Sequence, residues 1–208
     1  MNGKKLSVIF AVLMLVLSIA GFAYAHWEKI ITINGTVNTG VLCWKTTTVQ
    51  CLDDYVGCKD YHCNDGFAGY YYWQGDKDVG MTTIQIIDDQ TVELNLTNVY
   101  PSYFTSATLY IVNCGTIPLI FEKVIIASQY ETVEIVEDDQ IVSIDLNGDG
   151  LDDIEIYWGN HIGKQIHPGE PLGEVSFWIH VLQNAPPGSN LSFTVKFVAI
   201  NWNEYVPP

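Results

Sequence analysis

Arginine is missing altogether. Nine lysines face 24 aspartates and glutamates, for a formal net charge of −15 over 208 residues. A chain without guanidinium groups cannot grip phosphate bidentately, so nucleic-acid binding is excluded. Catalytic signatures are missing as well: there is no His-Glu-x-x-His, no Gly-x-Ser-x-Gly elbow and no phosphate-cradling loop. His161 and His167 lie six apart, while His26, His62 and His180 stand singly, as structural or surface histidines do. Acidic pairs abound, but in so acidic a chain they do not point to glycosidase chemistry. The reading is a protein that is not an enzyme.

Long apolar runs are missing after the first one. Lys4 and Lys5 precede an apolar stretch from Leu6 to Phe22, and Ala23-Tyr24-Ala25 supplies a small-x-small cleavage pattern. Residues 1–25 therefore read as a signal peptide, with an uncleaved membrane anchor as the alternative. Removing those 25 residues and their two lysines would leave 183 residues of charge −17, secreted and with no membrane segment.

What remains is rich in β-formers: twelve Tyr, eight Phe and six Trp stand among many Ile, Val and Thr. Val92, Leu94 and Leu96 alternate with polar residues, Val175, Phe177, Ile179 and Val181 alternate with Ser176, Trp178, His180 and Leu182, and Leu191, Phe193, Val195 and Phe197 repeat the period. A period of two marks half-buried strands. Further strands are expected at 30–34, 36–43, 81–87, 104–113, 117–127, 130–136, 140–145 and 153–158, and no window shows a helical period. Turn signals such as Asn34-Gly35, Tyr100-Pro101-Ser102 and Pro186-Pro187-Gly188 divide these runs. The expected fold is all-β, an antiparallel β-sandwich or jelly roll forming one domain over 26–208.

Residues 53–78 break the alternation and read as a cysteine-rich loop insertion. Export makes disulfides the default for Cys43, Cys51, Cys58, Cys63 and Cys114, with two bridges and one free thiol as the leading count; Cys114 lies apart from the other four and its partner is left open. Two bridges among the four would staple the insertion, in any of three pairings. Zinc, with His62 beside Cys63, is the competing reading, but paired Cys-x-x-Cys knuckles are absent. The Tyr70-Tyr71-Tyr72-Trp73 cluster is either a satellite core packed over the disulfides or a glycan- or protein-contact surface on a monomeric binding module.

Asp145, Asn147, Asp149, Leu151 and Asp153 occupy positions 1, 3, 5, 7 and 9 of a loop with Gly150 at position 6. Four side-chain oxygens and the Leu151 carbonyl suit a hard cation, and Ca2+ is the expected cofactor. Ile156 stands where a helix–loop–helix hand would have its Glu, so the expected setting is a β-hairpin. The alternative is a solvated acidic turn without metal. Asn34, Asn95 and Asn190 begin glycosylation sequons.

Three stretches resemble the TasA/camelysin family of secreted proteins. They are Ala23-Tyr24-Ala25-His26-Trp27 with Ile33 to Gly40; Tyr100-Pro101 through Asn113-Cys114-Gly115-Thr116-Ile117-Pro118; and Phe177 to Gln183 with Asn201-Trp202-Asn203-Glu204. The resemblance implies a jelly roll and, as in the fibre-forming members and related archaeal bundling pilins, a head-to-tail homopolymer in which one subunit's N-terminal strand completes the next subunit's sheet. Some relatives are labelled metallopeptidases, so the resemblance also implies a camelysin-type metallopeptidase as a further alternative, although no zinc-protease motif is present here. The physics of strand addition is independent of the resemblance. An open sheet edge accepts any strand that reaches it, and a donor at 26–41 would bury Ile31, Ile33 and Val37 in its neighbour. Such a contact does not close on itself and yields a filament; a segment folded back on its own sandwich yields a monomer.

Overall fold

The computed structural model describes residues 3–24, 35–37, 39–54, 57–63 and 72–207. The chain forms two units, residues 1–39 and residues 40–208. In the first, helix α1 (Gly3–Tyr24) is apolar enough over Gly3–Ala20 to cross a membrane, and that span is exposed on every side. Such a surface is not stable in water, which suits a segment handled by a membrane or an export channel. The proposed cleavage point after Ala25, together with Ile31, Ile33 and Asn34, lies outside the described residues.

The second unit is an antiparallel β-sandwich. Its first sheet runs in the order β3 (Tyr72–Gln74), β2 (Tyr61–Cys63), β6 (Tyr103–Asn113), β12 (Pro171–Val181), β10 (Ile154–Trp158), β9 (Ile141–Ile144), and β1 (Trp44–Cys51) also pairs with β6. The second runs β11 (Gln165–Ile166), β7 (Leu119–Ala127), β13 (Ser189–Asn201), β5 (Thr91–Val99), β4 (Met81–Asp88), with β8 (Thr132–Ile135) also on β7. Every expected alternation faces the space between the sheets: Val92, Leu94 and Leu96, then Val175, Phe177, Ile179 and Val181, then Leu191, Phe193, Val195 and Phe197 are all buried. Aromatic rings cross the interface. Phe197 lies 5.7 Å from Phe121, 6.0 Å from Trp158 and 6.1 Å from Trp44, and Trp158 stacks on Phe177 at 5.3 Å. Such contacts add to the area each ring buries.

Two expectations are corrected here. Residues 36–43 form no strand among the described residues. Val37 is 89 % exposed, and only the end of the segment is fastened, the Thr116 amide donating to the Val41 carbonyl and the Cys114 and Gly115 amides to that of Cys43. Nor are there two bridges: the one disulfide among the described residues joins Cys43 to Cys114, whose partner the sequence left open, while Cys51, Cys58 and Cys63 remain thiols. The reason is register. Trp44 pairs with Asn113 at the end of the β1–β6 ladder, which sets Cys43 opposite Cys114 with their Cα atoms 5.0 Å apart. Further along, Cys51 faces Ala107 and Cys63 faces Tyr72, so neither meets a cysteine across its ladder. The segment 53–78 is therefore not stapled by disulfides.

The bridge spans 71 residues, and constraining a loop of that size is worth about 2–4 kcal/mol. Reduction or Cys114→Ser is expected to lower the melting temperature by about 5–15 °C in scanning calorimetry. Alkylation of the unfolded, unreduced protein should mark Cys51, Cys58 and Cys63 by peptide mass spectrometry; marking of Cys43 or Cys114 would contradict the pairing. In the native protein, burial, then the charges of Asp54 and Asp53, push the Cys51 thiol up to about 12. Its thiolate fraction at pH 8 is then about 10³-fold below that of an ordinary thiol, and native alkylation should slow accordingly.

Candidate functional site

The loop between β9 and β10 folds around its own acids. Asp145 Oδ1 accepts the Asn147 and Gly148 amides at 3.0 and 2.6 Å, and its Oδ2 accepts the Gly150 amide at 2.8 Å. Asp153 is buried; its Oδ2 accepts the Leu146 and Asn147 amides, and its Oδ1 accepts the Asn147 side-chain amide at 2.7 Å. Asn147 and Asp149 each cap the amide two residues on. Gly148 (φ +82°) and Gly150 (φ +86°) take the left-handed turns that this wrapping requires. Desolvation pushes the Asp153 carboxyl up, and the charges of Asp145 and Asp149 add to this against the two amide bonds. For Asp145 desolvation also acts upward, but the combined amide bonds outweigh it and hold the group low.

Asp145, Asn147, Asp149 and Asp153 thus lie within one turn. The acid oxygens are turned onto amides, and among the described residues no three acid, thiol or imidazole groups converge into a metal cage. Asp145, Asn147, Asp149 and Asp153 carry oxygen donors, the kind that a hard cation takes.

Beside this loop a sheet strand is left half-paired. β13 pairs with β5 from Ser189 to Lys196 but meets β7 only from Thr194 to Asn201. Residues 189–193 therefore have no strand on the β7 side among the described residues. A cleft of about 580 Å³ occupies that side, walled by Ser128, Gln129 and Tyr130, by Leu146 and Asn147 of the acidic loop, and by β13. The Ser189 hydroxyl oxygen is buried without a hydrogen-bond partner. Wall and loop are coupled: the Ser128 hydroxyl donates to the Asp145 carbonyl, the Asp145 amide donates to Glu131, and the Tyr130 ring lies against Gly148.

Sequence reasoning missed the two acids that hold the 53–78 segment to the body. Asp60 is fully buried and accepts from the Val79 amide (2.8 Å), the Gly80 amide (3.1 Å) and the Tyr100 hydroxyl (2.6 Å). Asp53, also buried, accepts from the Tyr103 hydroxyl at 2.6 Å, which leaves the Thr82 hydroxyl to donate to Tyr103. Burial is the main cause raising the Asp53 carboxyl, with the Tyr103 bond opposing it. Burial followed by the Asp60 bond raises the Tyr100 phenol. No motif announces such a clamp, because its partners come from 19 to 50 residues away.

A satellite cluster does form in this region, but around Cys63, Phe104 and Tyr157. Trp73 is instead 47 % exposed and stacks on His62 at 5.7 Å, while Tyr70 lies outside the described residues. Of the sequons, Asn190 is exposed and its side-chain oxygen accepts the Asn98 amide, whereas Asn95 is half-buried with its amide on Glu93.

The class defined by these observations is a disulfide-bonded antiparallel β-sandwich behind an apolar N-terminal helix, a combination consistent with an exported protein. No family model, curated protein or solved structure matches the chain.

Replacing Asp60 by Ala strands three donors and is expected to cost about 3–5 kcal/mol in urea unfolding. Asp60→Asn, which keeps an acceptor, should cost less. Equal losses would show that the carboxylate does not organise this region.

Proposed function

We propose that this protein is an exported structural subunit that polymerises into extracellular filaments or matrix by donating its leading strand to a neighbouring copy, with calcium bound in the Asp145–Asp153 loop. The observation that carries the reading is the unpaired flank of β13 at residues 189–193, which opens onto a cleft. Unpaired amides and carbonyls at a sheet edge are satisfied by an added strand, and alternate side chains of that strand are buried. The donor would be the segment from His26, with Ile31, Ile33 and Val37 as its inward residues. Strong exposure of Val37 supports this, since an exposed apolar side chain gains by burial in a partner. The resemblance to the TasA/camelysin family points the same way.

Calcium would join the donor's site to the rest. Asp145, Asn147, Asp149 and Asp153 would supply side-chain oxygens and Leu151 its carbonyl, and the cation's charge would offset the Asp145 and Asp149 repulsion that adds to the desolvation raising the Asp153 carboxyl. Because the loop is hydrogen-bonded to the 128–131 turn, a bound cation would also stiffen one wall of the cleft.

Negative-stain microscopy of the purified mature chain should show filaments, and deletion of residues 26–37 should abolish them while circular dichroism still reports a β-sandwich. A wild-type protein that stays monomeric at high concentration would end the proposal. For the cation, millimolar calcium should raise the melting temperature, and Asp149→Ala should remove that increment; a transition indifferent to both calcium and the substitution would leave the loop as a metal-free turn.

A further inference from the structure

A second cleft, of about 550 Å³, lies where the clamped segment meets the second sheet. His62, Tyr100 and Val79 give it an apolar floor, and Asn98, Asp76 and Lys77 bring polar groups to it. Nothing in the strand-donation reading uses it.

The floor is held in place. The Tyr100 hydroxyl donates to the fully buried Asp60 and lies 3.4 Å from His62 Nε2. The His62 ring stands between Tyr100 (5.6 Å) and Trp73 (5.7 Å). Asn98 adopts a left-handed backbone (φ 53°), fixed by its amide donating to Asn190 and its side-chain NH2 donating to the Val79 carbonyl at 2.8 Å. Those bonds commit the nitrogen and direct Oδ1 toward Gly188, which also lines the cleft. The result is a fixed acceptor at a ring-floored depression, and Asp76 and Lys77 add an exposed acceptor and donor.

Charge and composition narrow the ligand. With 24 acids against nine lysines, the field of the chain opposes anions, and without arginine the cleft has no fork for phosphate or carboxylate. A wholly apolar ligand would desolvate the Lys77 ammonium, the Asn98 side-chain oxygen and the Asp76 carboxylate, which has only an exposed 3.8 Å ion pair with Lys59, without giving them new partners. A pyranose ring satisfies both demands, because its C–H face packs on aromatic rings and its hydroxyls both donate and accept. We propose that the cleft formed by His62, Tyr100 and Asn98 binds a neutral sugar unit of an oligosaccharide, with Asp76 and Lys77 contacting its hydroxyls.

The test is saturation-transfer NMR and titration calorimetry on the mature chain. The probes are four neutral oligosaccharides (maltotetraose, cellotetraose, mannotetraose and chitotetraose), with tetragalacturonate as the anionic comparison. At least one neutral probe should bind, with saturation transferred to its ring C–H protons. His62→Ala should weaken that binding at least tenfold and Asp76→Ala about threefold or more. Asp76 is fully exposed, so its variant tests the site without a folding cost. Tyr130→Ala, at the other cleft, should leave sugar binding unchanged. The proposal is overturned if none of the neutral probes binds, if tetragalacturonate binds more tightly than they do, or if His62→Ala and Asp76→Ala both bind like wild type. Monomeric wild-type protein suffices, so the outcome is independent of whether filaments form.

Discussion

Phe197 is the point where the two sheets become one body. It reaches from β13 to Phe121 on the neighbouring β7 and across the sandwich to Trp158 and Trp44. All four rings are buried, and they bring together β1, β7, β10 and β13. This contact helps to fix how β13 lies over the first sheet, together with the hydrogen bonds that join β1 to the β4 region. In a chain with so few cations, buried aromatic area is the available glue: the ion pairs involving lysine among the described residues are two, both on partly or fully exposed side chains.

Strands whose inward residues are apolar were legible from period alone, and β5, β12 and β13 lie where alternation puts them. β1 escaped because its buried positions include Thr46, so its pattern of threonines and lysine carries no apolar period. The short β2 and β3 escaped for a different reason: they are held by cross-strand pairing and by Asp60, and neither leaves a trace in local sequence. The disulfide shows the limit most clearly. Proximity in sequence favoured pairing among Cys43, Cys51, Cys58 and Cys63, whereas the β1–β6 register sets Cys43 across from Cys114. The acidic loop was the most legible part of the candidate site, because its oxygens and glycines lie in nine consecutive residues and need no tertiary information.

Negative charge has two roles here that differ by burial. On the surface it keeps copies apart and suppresses unspecific sheet-to-sheet association. Inside, Asp60 is satisfied by two amides and the Tyr100 hydroxyl, and Asp53 takes the Tyr103 hydroxyl on Oδ2 while its buried Oδ1 has no hydrogen-bond partner. A carboxylate with several good donors is satisfied at lower desolvation cost than one that must also bury a lysine. The lack of arginine is therefore compatible with a core that contains acids, provided tyrosines and backbone amides are aimed at them.

The edges of the sandwich bear on where another strand could join. On one side β1 and β4 are stitched together, the Thr46 amide donating to the Asp89 carbonyl, the Thr82 amide to that of Asp53, and the Cys51 thiol to that of Thr82. On the other side β8 and β9 adjoin, and the chain nearby carries Glu131, Glu134, Glu137, Asp138 and Asp139, the kind of charge that discourages edge pairing. The flank of β13 at 189–193 differs from both. It is interior to its sheet, it continues the ladder that β7 begins at Ala127, and its neighbouring wall is tied to the acidic loop. A strand added there would extend the β13 ladder beyond the Thr194–Ala127 pair instead of starting a new edge. Directed addition of that kind favours an ordered filament over amorphous aggregation, which is why this flank, rather than the outer strands, carries the functional reading.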